Sequence, residues 1–287
     1  MKPVVIKVKE SSLRPIEDQI LKSTHASSKK IRSNHESFRI LFAGETIVAY
    51  DSGKIVSNGP RAAAAVQSAV LSLTPDTDRV EMIIGSDEAG KGEWLGPMVI
   101  AAVALTPQQS RLLQSLGVMD SKEISIERLS ELAVEIEHNS SSRNLVLIAP
   151  KTFNERFTEL KKEGKNLNDL LAWAHSKSIS AVYNDITSDT PIRVVVDEFA
   201  RNKTKQRLSR VVPLEEIELI QRPHAEDEIA VASAAILARE AREQWIDQFS
   251  EEHGFDLRDL SIPEAFQRED KHLFAKVQYL AKMESGK

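Results

Sequence analysis

The sequence predicts an α/β protein that carries a smaller unit of strands and helices at its N-terminus. From residue 80 onward, strand-like and helix-like segments alternate, which is the pattern of a sheet flanked by helices. Before residue 60, short β-type segments follow one another between glycines, which is typical of an antiparallel meander. A Thr-Pro-Asp break at residues 74–76 separates the two patterns, so we predict domains at residues 1–76 and 77–287.

Each element of the first unit has its own signal. VVIKV at residues 4–8 alternates as a strand does, and residues 13–22 have the apolar spacing of a helix. FRILFAG, TIVAYDSG and KIVSNG predict three strands separated by glycines. Pro60 then opens an Ala-rich helix, in which proline is tolerated because it lies in the first turn.

Strands and helices alternate through the second part of the chain. Two apolar β-like runs, VEMII and MVIAAVAL, flank a glycine-rich polar turn. An amphipathic helix is predicted at residues 125–137, then the strand NLVLIAP and a helix from LNDLL to YNDI. RVVVD is typical of a strand covered on both faces. The small residues of the long helix DEIAVASAAILAR permit close packing.

The composition is that of a soluble globular protein and excludes several kinds of site. Hydrophobic residues make up 41% of the chain and charged residues 28%. Cys is absent, so disulfides and thiolate metal sites are excluded and any metal must be held by oxygen or imidazole. No apolar run approaches the roughly 20 residues of a membrane helix, and the N-terminus lacks the core of a signal peptide. We therefore expect a cytoplasmic protein with no membrane partner.

The net charge of −5 argues against a nucleic-acid partner, but the distribution of the basic residues argues for one. Either basic cluster could also be an ordinary solvated surface. The clusters are, early in the chain, Lys22, Lys29, Lys30 and Arg32, and later Arg201, Lys203, Lys205, Arg207 and Arg210.

Acidic residues follow two apolar strands and precede the long helix. Asp87 and Glu88 come after VEMII, and Asp197 ends RVVVD, so these carboxylates converge if the two strands are neighbours. Glu226 and Asp227 lie just before the long helix. Each position also has an ordinary structural explanation, since acids commonly serve as turn residues, helix caps or partners of a helix dipole. The same holds for Asp120 in the segment MDSKEIS, where Asp120 or Ser121 could cap the following helix.

Taken together, these carboxylates predict a site for hard divalent cations. There is no Cys and no HExxH pair, and oxygen ligands suit Mg²⁺ or Mn²⁺. Four carboxylates can hold two such ions about 3.5–4 Å apart. A phosphate-binding Walker A loop is the alternative for GSDEAGKG, but Gly92 stands where that loop needs Ser or Thr. His175 is interpreted as a hydrogen-bonded, partly buried imidazole, and Trp94 and Trp173 are interpreted as packing residues.

Four segments in order resemble the motifs of type 2 ribonucleases H. They are IGSDEAGKGEWLGPMVIAAV, MDSKEIS, VVVDEFA and HAEDEIAVASAAILAR, and they cover most of residues 80–250. The resemblance is closer to the ribonuclease HIII branch than to ribonuclease HII. The helix NLNDLLAWAHSKSI is similar to the Asn-rich helix of HIII, and the N-terminal unit is similar to its TATA-binding-protein-like domain. The chain also lacks the Gly-Tyr-Gly motif with which HII senses a lone ribonucleotide in DNA.

The resemblance implies a ribonuclease H-like mixed sheet flanked by helices, with a smaller TATA-binding-protein-like α+β domain. It implies an endonuclease that hydrolyses the RNA strand of RNA–DNA hybrids by two-metal catalysis, leaving 5′-phosphate and 3′-hydroxyl ends. No obligate protein partner is implied. HII-type cutting at single embedded ribonucleotides and a non-catalytic hybrid-binding protein are the alternatives.

The resemblance also assigns roles to individual residues. The implied metal-binding and catalytic set is Asp87, Glu88, Asp197 and Glu226, with Asp227 competing for the last place. Lys91 stands where HII usually has Arg and HIII has Thr. The implied substrate-binding residues are Gly90, Lys91, Gly92, Ser121, Lys122, Asn166 and Asn168.

Overall fold

The computed structural model describes residues 3–73, 82–118, 124–186, 192–197, 201–223 and 225–284. The chain divides into two compact units. One unit comprises Met1–Val80 and Pro107–Val118, and the other comprises Glu81–Thr106 and Met119–Lys287. The predicted boundary at residue 76 falls between the described ranges, so the exact extent of the two domains stays a prediction.

The first unit is an antiparallel sheet with helices. Its strand order is β1-β5-β4-β3-β2. The strands are β1 (Val4–Lys7), β2 (Ala26–Ser28), β3 (Glu36–Phe42), β4 (Glu45–Tyr50) and β5 (Lys54–Ser57), and the helices are α1 (Leu13–Leu21), α2 (Pro60–Ser72) and α3 (Pro107–Leu116). The predicted strands and helices of this unit are confirmed, whereas β2 and α3 were not predicted.

Alternation of side chains builds the core of this unit. Ile40, Ile47 and Ile55 are buried on successive strands, and burial of each such side chain contributes roughly 1.5–3 kcal/mol. The residues that directly follow them on the strands, such as Val48 and Val56, are only partly buried because they point to the opposite face. The covered face packs against α2, as the period-2 pattern predicts.

The second unit is a mixed sheet between helices, as predicted. Its strand order is β10-β9-β6-β7-β8, with β10, β9 and β6 parallel and β7 antiparallel to both β6 and β8. The strands are β6 (Met82–Ala89), β7 (Met98–Leu105), β8 (Ser142–Ile148), β9 (Ile192–Asp197) and β10 (Ile217–Arg222). The helices are α4 (Ile126–Asn139), α5 (Pro150–Lys162), α6 (Leu167–Asp185), α7 (Arg201–Leu208), α8 (Ile229–His253), α9 (Ile262–Gln267), α10 (Lys271–Phe274) and α11 (Val277–Glu284).

Two helices cover the central strands from opposite sides. Ile179 and Val182 of α6 pack with Val194 of β9 on one face. Val231 of α8 packs with Val195 of β9 on the other face. Consecutive valines of β9 are therefore both buried, which confirms the prediction of a strand covered on both faces.

The helix α4 begins after Ser125. The Ser125 side chain caps this helix by accepting a hydrogen bond from the Arg128 N–H.

The small residues of α8 allow it to lie directly on the sheet at Gly85. A Cβ atom at position 85 would stand only 2.1 Å from the Ala230 carbonyl carbon and 2.2 Å from the Val231 nitrogen. Glycine is therefore required here by the close approach of two backbones. In the described ranges, no helix combines the length and the apolar character that crossing a membrane requires.

Candidate active site

Asp87 and Asp197 lie at adjacent positions near the carboxyl ends of the neighbouring parallel strands β6 and β9. The register of β6 and β9 pairs Gly85 with Val195 and Ser86 with Val196, so the next residues along are the two acids. Strands in a sheet are about 4.8 Å apart, which sets the spacing of their backbones. The two strands are therefore neighbours, which is the condition on which the predicted convergence of these carboxylates depends.

Both acids belong to the face of the sheet that α8 covers. Gly85 and Val195, two residues before them, face α8, and side chains two apart in a strand share a face. The Asp87 carboxylate accepts a hydrogen bond from the Glu88 N–H at 2.8 Å, which restrains its orientation.

Glu88 points to the opposite face, toward α6. The sequence suggested that the strand ends before the acids, but β6 continues to Ala89, so alternation separates Glu88 from Asp87. Glu88 Oε2 lies 3.0 Å from His175 Nε2, and Glu88 Oε1 lies 2.9 Å from Lys91 Nζ. Both carboxylate oxygens therefore have cationic or N–H partners.

These partners keep Glu88 ionised despite its burial. Burial by itself raises the pKa of Glu88, but the hydrogen bond and charge of His175 and the charge of Lys91 outweigh it and lower the pKa to about 2. His175 is fully buried, whereas the sequence predicts a partly buried imidazole, and its nitrogens are hydrogen-bonded as predicted. Its role as a partner of Glu88 was not predicted, because 87 residues separate them in sequence.

The segment that carries the fourth predicted acid approaches the same edge of the sheet. Residues Ala225–Asp227 form a 3₁₀ turn before α8, and Ala225 packs against Val195 on the face shared by Asp87 and Asp197. The Glu226 side chain lies outside the described part of the chain. Asp227 is engaged by both terminal nitrogens of Arg222, and this hydrogen bonding lowers the pKa of Asp227.

The loop after β6 takes its shape from glycines. Gly90 has φ +81°, and a Cβ there would lie 2.3 Å from the Pro97 carbonyl oxygen, so only glycine fits. Gly92 has φ +78° and nothing within 4 Å of a Cβ position, so this part of the loop is open. Residues 85–89 are strand and not loop, which contradicts the Walker A alternative.

Residues Ala275 and Lys276 bind the backbone that follows this loop. Ala275 pairs with Leu95, and the Lys276 N–H donates to the Trp94 carbonyl at 2.7 Å. The Lys276 ammonium is buried and donates to the carbonyl of Gly96 at 2.6 Å. Burial lowers the pKa of Lys276 to about 7. Trp94 packs in this apolar cluster as predicted.

The remaining residues that the sequence singled out have different positions in the structure. Asn166 caps α6, and its side-chain oxygen accepts from the Asn168 N–H at 3.0 Å. Ser121, Lys122 and Asp120 lie outside the described residues. Trp173 is 42% exposed on α6, so its predicted packing is wrong, whereas its neighbours Ala172 and Ala174 are buried.

The donor set fits a hard divalent cation. In the parts of the chain that the structure describes, no three His, Asp or Glu side chains converge as metal ligands would. Asp87 and Asp197 nevertheless supply two carboxylates from adjacent strands, and Glu88 presents one oxygen to the Lys91 ammonium. Carboxylate oxygens are the ligands that Mg²⁺ and Mn²⁺ prefer.

Comparisons with known proteins identify the family. A family model described as Ribonuclease HII matches residues 84–268. A Ribonuclease HIII from Protochlamydia amoebophila is 35% identical over 218 residues, covering 73% of this chain and 69% of that protein. A Ribonuclease HIII from Bacillus cereus is 32% identical over 232 residues, covering 74% and 73% of the two chains.

Solved structures show the same fold. Bst-RNase HIII in complex with Mn²⁺ matches with a TM-score of 0.60 and 21% identity, covering 100% of both chains. Aquifex aeolicus RNase H3 matches with a TM-score of 0.55 and 21% identity, covering 96% of this chain and 99% of that one. The family model and the two Ribonuclease HIII relatives show that the chain belongs to the ribonuclease HIII family and is a divalent-metal-dependent endonuclease that acts on RNA–DNA hybrids.

Proposed function

We propose that Asp87, Glu88, Asp197 and Glu226 bind the Mg²⁺ or Mn²⁺ ions with which this enzyme hydrolyses RNA. The observation that carries the proposal is the register of β6 and β9, which pairs Ser86 with Val196, the residues that directly precede Asp87 and Asp197. Glu226 is preferred to Asp227 as the fourth member, because both Asp227 oxygens are engaged by Arg222.

The chemistry follows from what these groups can do. Divalent cations held by these carboxylates would supply activation of the attacking water and stabilisation of the charge on the departing 3′-oxygen. The chain's own contribution is to hold the carboxylates in place: Asp87 through the Glu88 N–H, and Glu88 through His175 and Lys91. Cleavage in this manner leaves 5′-phosphate and 3′-hydroxyl ends.

The loop around Gly90, Lys91 and Gly92 is proposed to contact the RNA strand. Only RNA offers a 2′-hydroxyl, and glycines let backbone groups approach it closely. The open space beside Gly92 supports this role. Ser121, Lys122, Asn166 and Asn168 are proposed to contact the nucleic-acid backbone, with Lys122 near a phosphate.

We expect uniform hybrids, rather than lone ribonucleotides in DNA, to be the preferred substrate. A tyrosine near the C-terminus would be needed for the HII-type reaction, and the candidate is Tyr279. Its ring centroid lies 5.9 Å from that of Phe153, within the apolar cluster of the second unit. Burial raises the pKa of Tyr279, which is consistent with a packing role.

A comparison of two duplexes tests this preference. With Mg²⁺ or Mn²⁺, the enzyme should cut a uniform RNA–DNA hybrid at many positions and leave a DNA duplex with one ribonucleotide nearly intact. Product ends are identified by labelling and gel electrophoresis, with an all-DNA duplex as the control. Efficient cutting at the single ribonucleotide would contradict the HIII-type preference, and intact RNA with retained binding would support a non-cleaving protein.

The first unit is proposed to bind the duplex independently of its nucleotide sequence. Lys29, Lys30 and Arg32 are exposed in the segment that connects β2 to β3. Basic side chains that contact phosphates release counterions, and this supplies affinity that does not depend on sequence. A cationic edge of this kind also accounts for nucleic-acid binding by a chain whose net charge is −5.

Neutralising this edge should weaken binding and its salt dependence. In a variant with Lys29, Lys30 and Arg32 all changed to Gln, the slope of log K against log salt should fall by about 0.9 for each lost phosphate contact. Fluorescence anisotropy with a labelled hybrid measures the slope. The matched control changes Lys7, Lys9 and Lys54 to Gln at the opposite edge of the same sheet. Equal effects of both triple variants would show that Lys29, Lys30 and Arg32 have no special role in binding the duplex.

A further inference from the structure

His175 is completely buried in α6, yet both of its ring nitrogens reach polar groups of β6. Nδ1 lies 2.8 Å from Ser86 Oγ, and Nε2 lies 3.0 Å from Glu88 Oε2. The side chain of His175 is 0% exposed. Burying an imidazole is costly unless its nitrogens are hydrogen-bonded, and here one strand supplies both partners. The two hydrogen bonds therefore offset the cost of burying the His175 imidazole in the core.

The geometry fixes the direction of the contact with Glu88. An ionised carboxylate can only accept hydrogen bonds, so Nε2 must carry the hydrogen and donate it to Glu88 Oε2. Ser86 Oγ also lies 2.7 Å from the Ala101 carbonyl oxygen of β7. The imidazole is thus tied to the backbone of the central sheet at one side and to the carboxylate at the other.

The two oxygens of Glu88 consequently differ. Oε2 faces the buried imidazole, whereas Oε1 faces the Lys91 ammonium, whose side chain is 36% exposed. Oε1, the outer oxygen, is therefore the one that already accommodates a positive charge.

We infer that His175 is a positioning residue that, anchored by Ser86, holds Glu88 with its outer oxygen directed toward bound cations. The inference rests on the proposed function, because it takes Glu88 as a member of the ion-binding set. Loss of a hydrogen bond to a metal-binding side chain typically costs about 10–100-fold in metal affinity or activity.

Two substitutions of His175 separate positioning from packing. The amide nitrogen of Gln reaches the place of Nε2, so His175→Gln can still donate to Glu88. The amide nitrogen of Asn reaches the place of Nδ1, so His175→Asn keeps only the Ser86 side. A third variant, Ser86→Ala, keeps the imidazole and removes its anchor, and it serves if His175→Asn does not fold.

The variants are compared by calorimetric titration of the full-length protein with Mn²⁺ alone and by kcat and KM on a hybrid. We expect His175→Asn to weaken Mn²⁺ binding by about tenfold and to lower kcat more than it raises KM. Ser86→Ala should shift both quantities in the same direction, and His175→Gln should restore them to near the wild-type values.

Ser178→Ala is the matched control. Ser178 is buried on the same helix and donates to the Asn144 carbonyl at 2.9 Å, away from Glu88. Its removal should lower the melting temperature without changing Mn²⁺ affinity. Wild-type Mn²⁺ affinity in His175→Asn, or equal losses in the Gln and Asn variants, would overturn the positioning role. Asp87→Asn is titrated in parallel: if it also binds Mn²⁺ as wild type does, the proposed ion site itself fails.

Discussion

Replacing Asp87 or Asp197 with Asn should abolish cleavage of an RNA–DNA hybrid while the protein remains folded. Each change removes one negative charge from the proposed ion-binding set on the neighbouring strands β6 and β9. Charge stabilisation by bound metal contributes several kcal/mol, so kcat should fall by on the order of a thousandfold. In Asp87→Asn the new amide retains an oxygen that accepts from the Glu88 N–H, so the local structure should survive.

A control variant in the same assay tests whether the loss of any negative charge from this sheet is enough to stop cleavage. Glu218 lies on β10 of the same sheet, where its carboxylate pairs with Arg193 at 2.9 Å. Glu218→Gln should cut hybrids at the wild-type rate. Circular dichroism and thermal melting establish that each variant is folded. Normal cleavage by both Asp variants would show that the reaction uses another set of residues.

Gly85→Ala should destabilise the second unit and impair cleavage together. The added Cβ would stand 2.1–2.5 Å from three backbone atoms of Ala230 and Val231, which cannot rotate away as a side chain would. Overpacking of this kind costs roughly 1–3 kcal/mol or more, because α8 must move away from β6. The 3₁₀ turn with Glu226 immediately precedes α8, so its position relative to Asp197 should change as well. Urea unfolding and hybrid cleavage measure the two effects.

Gly59→Ala provides a comparison at almost the same contact distance. A Cβ at Gly59 would lie 2.3 Å from the Glu45 carboxyl group, which is the flexible end of a side chain. We expect a much smaller loss of stability there and normal cleavage. Equal losses at the two glycines would mean that the close approach of α8 to β6 is not what matters at residue 85.

The arrangement of the central strands could be predicted because the signals are local. Apolar runs that end in Asp87 and Asp197 indicated two buried strands, and the α/β pattern indicated that they share a sheet. Their placement as neighbours in register confirms this reasoning. The meander of the first unit was predicted for the same reason, since each strand has its own alternation and its own turn residues.

Other features depend on contacts between distant parts of the chain, which leave no local signal. The partnership of His175 with Glu88 is one example, and the inclusion of α3 in the first unit, although it follows β7 in sequence, is another. The strand β2 has only three residues and no apolar alternation, so nothing in its sequence marked it. The opposite orientations of Asp87 and Glu88 depended on where β6 ends, and strand boundaries are poorly determined by sequence pattern.

The contact between Lys276 and the Gly96 carbonyl has a consequence for biosynthesis. The two residues are 180 positions apart, and the later one belongs to the segment that borders the glycine loop. A nascent polypeptide therefore exposes Asp87 long before it can fix the loop that follows it. The loop takes its final shape only after residue 276 has left the ribosome, so the loop that is proposed to contact the RNA strand forms later than the strands that carry Asp87 and Asp197.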